Sequence, residues 1–129
     1  MNRRGFSVAM AIGILGMAPF VFASGTLDGK TFSGSIGSKE QTEGKADDFV
    51  FQDGQFESTL CETMGYGKGS YTTSMKGDAV QFTAETTNKE GGKMDWKGTV
   101  TGDQIEGTVS SAANGNTSEM WFKGTTKKL

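Results

Sequence analysis

The chain has no histidine. That removes the commonest general base and metal ligand of proteins. A Cys–His pair, a Ser–His–Asp set and a histidine-bearing zinc site are excluded with it. Cys61 is the only cysteine and Pro19 the only proline. One thiol cannot close an internal disulfide, so the fold must hold by packing and strand pairing alone. Basic residues form no stripe, so nucleic-acid binding has no electrostatic footprint. Beyond residue 23 no segment carries a 3.6-residue apolar period of useful length, so amphipathic helices have no basis in the pattern.

What is present begins with a leader. Arg3 and Arg4 precede an apolar stretch, Ser7 to Ala23, that ends in Val21-Phe22-Ala23. A positive start, an apolar run and small residues before a cut form the pattern of a secretory signal peptide. The run is short, no stop-transfer cluster follows it, and no cysteine follows it to carry a lipid. A stable membrane anchor is therefore not expected. The expected organisation is a signal peptide over 1–23 and one domain over 24–129, placed in a bacterial periplasm or the medium. Of 129 residues, 23 leave and 106 remain, with 11 Lys against 15 Asp plus Glu and a net charge of −4.

Polar and apolar residues then alternate at period two, as in half-buried strands. Phe49 and Phe51 are followed by Phe56, Ser58 and Leu60, then by Tyr71, Thr73 and Met75. Val80, Phe82 and Ala84 come next, then Met94, Trp96, Gly98 and Val100, then Ile105, Gly107 and Val109, and last Met120, Phe122 and Gly124. Asp53-Gly54, Gly77-Asp78, Gly102-Asp103 and Asn114-Gly115 each fit a two-residue hairpin loop. Such loops fix the pairing. Phe51 should face Phe56, Met75 should face Val80, Trp96 should face Val109, and Val109 should also face Met120. Every hairpin brings inward residues opposite inward residues, and a slip by one would turn each apolar set into water.

In this register Gly98 faces Gly107, Gly107 faces Phe122, and Phe82 falls opposite Gly98. Core positions without side chains thus sit beside large rings. Glycine in a strand marks a bend or a close approach. The same device recurs in Phe32-Ser-Gly34-Ser, Trp96-Lys-Gly98-Thr, Ile105-Glu-Gly107-Thr and Phe122-Lys-Gly124-Thr. Eight strands are expected, at about 30–36, 47–52, 55–60, 69–76, 79–86, 93–101, 104–111 and 118–126. A meander of this size closes most naturally as an all-β, eight-stranded antiparallel up-and-down barrel, which leaves no open edge. A two-layer β-sandwich is the alternative.

Candidate chemistry is sparse. Asp47-Asp48 and Glu85, Glu90 and Asp95 read as solvated surface charge rather than as a carboxylate pair or cation site. Gly65-Tyr66-Gly67-Lys68-Gly69 lacks the strand-to-helix context of a phosphate loop. If the alternation continues past Leu60, Cys61 points outward or sits at the rim. It is then a small packed residue, an intermolecular disulfide partner or a reactive thiol, and the neighbouring Glu62 would raise its pKa. No catalytic set emerges, so no enzymatic activity, cofactor or metal is expected.

The domain resembles the lipocalin and avidin-like barrels, the calycin type, in size, in its short hairpins and in its Gly-Thr strand motif. Those families open with a Gly-x-Trp strand, where this chain has Gly29-Lys-Thr-Phe32 and Gly34-Ser-Ile36. The chain is also similar to small exported bacterial proteins, which implies no activity. What the resemblance implies is architecture and a general idea of ligand binding.

An eight-stranded barrel is just wide enough to be filled by side chains or to hold one small ligand. The first expectation is an exported binding protein that holds a small apolar or amphipathic ligand among Phe49, Phe51, Tyr71, Thr73, Phe82 and Trp96. The alternative is a protein-interaction module, such as an inhibitor of an exported enzyme. It would present the loops 37–46 and 61–68, with Tyr66, or the face around the outward Trp121. A monomer is expected, with a Cys61-linked dimer as the other option.

Overall fold

The computed structural model describes residues 25–127. The signal-peptide assignment over 1–23 and the start at Ser24 lie outside the described residues. The strands are β1 (Thr31–Ser38), β2 (Lys45–Gln52), β3 (Gln55–Ser58), β4 (Gly69–Lys76), β5 (Ala79–Thr87), β6 (Lys93–Thr101), β7 (Gln104–Ala113) and β8 (Asn116–Thr126). They pair in chain order, all antiparallel, and β8 pairs with β1 to close the barrel. The fold is the all-β up-and-down barrel expected from the pattern, not a sandwich.

The turns explain the order. Asp53 and Gly54 both have positive φ, as do Asn114 and Gly115. That is the type I′ pattern, whose twist matches the flanking strands. At Gly77-Asp78 and Gly102-Asp103 only the glycine has positive φ, the type II′ pattern. The registers follow. Phe51 faces Phe56, Met75 faces Val80, Phe82 faces Gly98, Gly98 faces Gly107, and Val109 faces both Trp96 and Met120.

Three elements depart from simple alternation. The third strand stops at Ser58 instead of running to residue 60, and Thr59–Glu62 forms a helical turn, α1. Asp47 causes this. Its carboxylate accepts from the Leu60 N–H at 2.9 Å, from the Thr59 hydroxyl at 3.3 Å and from the Ser58 hydroxyl. The Ser58 oxygen in turn accepts from the Cys61 N–H at 3.2 Å. Donors that a continuing strand would have sent to a neighbour are thus turned onto one carboxylate. Asp47 lies in the inward phase of Phe49 and Phe51 and is buried, not the solvated surface charge expected of it.

Cys61 consequently turns inward and is buried, rather than standing outward or at the rim. Met75 departs the other way and is 59 % exposed. β3 meets β4 over only two residue pairs, so the far half of β4 overhangs. The segment 26–28 covers part of that overhang. The Thr73 hydroxyl bonds that of Thr26 at 3.0 Å, and the Leu27 N–H donates to the Tyr71 hydroxyl at 2.9 Å. Met75 lies beyond this cover.

The lumen is packed with rings. Phe32, Phe49, Phe51, Phe56, Tyr71, Phe82, Trp96 and Phe122 are each at most 1 % exposed. Adjacent centroids lie 4.8 to 6.5 Å apart, mostly tilted or edge-to-face, the preferred range for aromatic pairs. The Trp96 indole N–H donates to the buried Thr86 hydroxyl at 3.1 Å, so its one polar atom is satisfied.

Gly98 is the answer to the empty positions. A Cβ there would stand 2.7 Å from Phe82 Cε1 and 2.8 Å from Phe122 Cζ. The ring edges occupy the space that a side chain would have taken.

Candidate functional site

The structure gathers Phe49, Phe51, Tyr71, Thr73, Phe82 and Trp96 into one cluster inside the barrel. Their neighbours are one another. Phe51 lies 5.0 Å from both Tyr71 and Phe82, and Phe49 lies 6.3 Å from Trp96. The Tyr71 hydroxyl donates to Asp28 at 2.7 Å. Burial pushes this phenol well above its ordinary pKa, and the bond to the Asp28 carboxylate adds to the rise. Toward the lumen these side chains meet one another, and Thr73 and Phe82 also border open space on the outer wall. They are the packing.

Of the two residues expected on an interaction surface, only Trp121 is on the outside of the wall. Its indole N–H donates to the Gln41 carbonyl at 2.8 Å, and its ring edge rests against Gly37 and Gly44. The ring is therefore half-covered by the 39–44 loop, with Lys123 Nζ 5.5 Å from its centre. Tyr66 is not on the surface. It is buried, because its N–H bonds back to Cys61 and the next N–H, on Gly67, bonds to Thr87 across the barrel end. That pins the loop and seats the ring against Asn88 and Gly92.

Cys61 shares the inner layer with Ser58 and Asp47. Burial pushes its thiol up and the Asp47 carboxylate adds to this, while the Ser58 hydroxyl opposes it. The anion beside it is Asp47, not the Glu62 suggested by sequence proximity. A thiol raised in this way stays protonated at neutral pH, so it lacks the thiolate character of a nucleophile. The chemistry of the set Asp47, Ser58 and Cys61 is to hold a turn. Among the described residues, no three Cys, Asp or Glu side chains gather where they could hold a metal ion, and no helix is long and apolar enough to cross a membrane.

Two of the open spaces on the described residues lie elsewhere. The first is a cleft of about 780 Å³ at the barrel mouth, between the 39–44 loop and α1. Ile36, Leu60, Cys61, Met64 and Met120 form its apolar part, and Glu40, Gln41, Thr42, Glu43 and Lys45 its polar rim. The second is a groove of about 750 Å³ on the outer wall. It is built from three successive residues on each of five strands, β4 to β8.

Cross-strand pairing sorts those residues into rows. Thr73, Phe82, Gly98, Gly107 and Phe122 are paired in line and form the floor. Thr72, Thr83, Lys97, Thr108 and Trp121 form the wall nearer the mouth. Ser74, Gln81, Thr99, Glu106 and Lys123 form the other. A barrel wall is hyperboloid and concave along its strands. Here the outer concavity is centred on the row that holds Gly98 and Gly107.

Comparison with known proteins finds no matching family model, curated protein or solved structure.

The closed antiparallel eight-stranded barrel is consistent with a calycin-like architecture, and the likeness is one of architecture alone. The sequence pattern had placed Gln81, Thr83, Lys97, Thr99, Glu106 and Thr108 outward, so the groove walls were in view, though their concavity was not. The alternation does not show the mouth cleft, because Leu60 reads as the end of a strand and Cys61 as outward or at the rim. The available signal was Ser58-Thr59 ahead of Glu62, a helix-start pattern.

Proposed function

We propose that the protein is an exported, non-enzymatic binding barrel that takes a small apolar or amphipathic molecule at its mouth. The observation that carries this is the cleft between the 39–44 loop and α1. Small-molecule sites are concave, of about 300–1,000 Å³, mostly apolar with a few convergent polar groups, and they favour the mouths of barrels. The cleft fits that description. Ile36, Leu60 and Met120 would cover the apolar part of the ligand, and the Gln41–Lys45 rim would orient its polar end. Met64 and Met120 add flexible, polarisable surface that adapts to shape. Ring packing in the lumen favours the mouth over the interior as the place for a ligand.

The alternative, a module for an exported protein partner, has one observation in its favour. Met64 is 57 % exposed at the cleft rim, beside the loops expected to make such a contact.

Titration with an anilinonaphthalene sulfonate dye tests the first reading. Met64→Lys places a charge at the exposed rim of the cleft at little cost to the core, and Met120→Lys places one in its apolar part, where the side chain packs half-buried against the core. Each is expected to weaken dye binding about tenfold, roughly 1.4 kcal/mol, with circular dichroism unchanged. Dye affinity equal to wild type in both variants would overturn it.

A further inference from the structure

We infer that the waist groove is a second binding site, for a linear polyhydroxylated chain of the oligosaccharide class. The groove shares only Thr42 with the mouth cleft, so the inference stands apart from that reading.

Shape comes first. The groove crosses five strands, and four gaps of about 4.8 Å make a track roughly 19 Å long around the waist. That is a site for an extended chain, not for a compact molecule.

The chemistry of the walls then selects the chain. Thr72, Ser74, Thr83, Thr99 and Thr108 present hydroxyls from both sides, and Gln81 adds an amide. Each hydroxyl both donates and accepts, which suits a ligand whose own groups do the same along its whole length. The Thr72 and Thr83 hydroxyls are already within 3.0 Å of one another. Threonine is stiff at χ1, so ordering these walls costs little entropy, and a preorganised site gains affinity by that means. Trp121 stands at one end, half-exposed, with Lys123 Nζ over its ring, and a sugar ring that rests on this face takes the place of the ammonium.

The same features disfavour an extended peptide. The barrel is closed, and where β4 overhangs β3 the segment 26–28 covers part of its edge, so little strand edge is left to extend. The floor rings Phe82 and Phe122 are 1 % exposed, so no apolar sockets are open for alternate side chains. Charge disfavours a highly charged chain of either sign, because Glu106 and its pair Lys123 stand in one wall and Lys97 in the other.

The test uses the purified protein with cellohexaose, chitohexaose and maltohexaose, and with a Ser-Gly hexapeptide as the competing class. Trp96 is sealed in the core, so a change in tryptophan emission on titration reports Trp121. At least one glycan should shift the emission, and its affinity should rise with chain length up to the span of the groove. Thr83→Val with Thr108→Val keeps the strand shape and removes two wall hydroxyls. This variant should bind about tenfold or more weakly by calorimetry while keeping its melting temperature and its dye binding at the mouth. Three outcomes would each overturn the inference: no calorimetric or emission response to any of the three glycans, glycan affinity unchanged in the double variant, or binding of the peptide in preference to the sugars.

Discussion

Gly98→Ala is the sharpest test of how the barrel is filled, because two accounts of the glycine predict opposite signs. The added methyl carbon would stand 2.7 Å from Phe82 Cε1, 2.8 Å from Phe122 Cζ and 3.0 Å from the Glu106 carbonyl oxygen. Carbon atoms in contact prefer about 3.5–4.0 Å, so both rings must retreat by roughly 1 Å. They cannot do so freely. Phe82 is held by Phe51 and Phe56, and Phe122 by Phe49 and Trp96. Overpacking of this kind costs about 1–3 kcal/mol. Gly98 does not lie in the left-handed region, so alanine adds no backbone strain and recovers about 0.4–1 kcal/mol through the unfolded chain. The net expectation is a loss of about 1–2 kcal/mol. For a domain of this size that lowers the melting temperature by roughly 5–15 °C. Thermal and urea unfolding, followed by circular dichroism, measure it. Trimming the obstructing ring with Phe122→Leu should make the alanine less costly, a coupling that a double-mutant cycle reads. A melting temperature equal to or above that of wild type would show that the rings have room. The packed-lumen account would then fall, and an interior ligand site would return.

Two further outcomes follow from the polar contacts. Asp47→Ala strips the acceptor from the Leu60 N–H and the Ser58 hydroxyl in a buried setting and should cost about 1–3 kcal/mol. The loss should be largest in hydrogen-exchange protection of residues 59–62, and protection unchanged there would refute Asp47 as the organiser of α1. Tyr71 has a raised folded-state pKa, so its contribution is complete below the unfolded value of about 10 and declines as pH rises above it. Melting temperature measured against pH should therefore fall more steeply above pH about 10 in wild type than in Tyr71→Phe, and parallel profiles would contradict the part-buried Tyr71–Asp28 bond.

The barrel was legible because its turns are short and chemically explicit. Asp53-Gly54 and Asn114-Gly115 demand positive φ at both positions, and a two-residue loop then fixes which side chains face each other. The parity of Phe51 with Phe56, and of Gly98 with Gly107, needed nothing further. The parts that escaped the pattern depend on contacts distant in the chain. Ser58, Thr59 and Leu60 continue an alternation that Asp47, across the hairpin, breaks. Tyr66 sits between glycines in what reads as an exposed loop, and bonds from its own N–H to Cys61 and from Gly67 to Thr87 turn it inward. Met75 keeps the inward phase and faces Val80, yet the short β3 leaves it without a partner on its other side. Among the candidate site residues, phase placed the aromatic set inside correctly. Phase does not report whether rings on opposite walls meet, so it could not tell a lined cavity from a filled one.

Filling and bending are one requirement in this chain. Without a disulfide to close it, the barrel rests on contacts among rings that must reach its axis from both sides. Phe82 and Phe122 reach it only because Gly98 and Gly107 leave their positions open. The same two glycines remove the Cβ atoms that would hold β6 and β7 away from the rings, so the wall draws inward at the waist. A wall that draws inward over its core is concave on its outer face, and the residues flanking the glycine row become the sides of a trough. The outer groove is thus the exterior form of the interior packing. It follows that Gly98→Ala should shallow the groove as it strains the core. Glycan binding at the waist should weaken in that variant, while dye binding at the mouth, built on α1 and the 39–44 loop, should not.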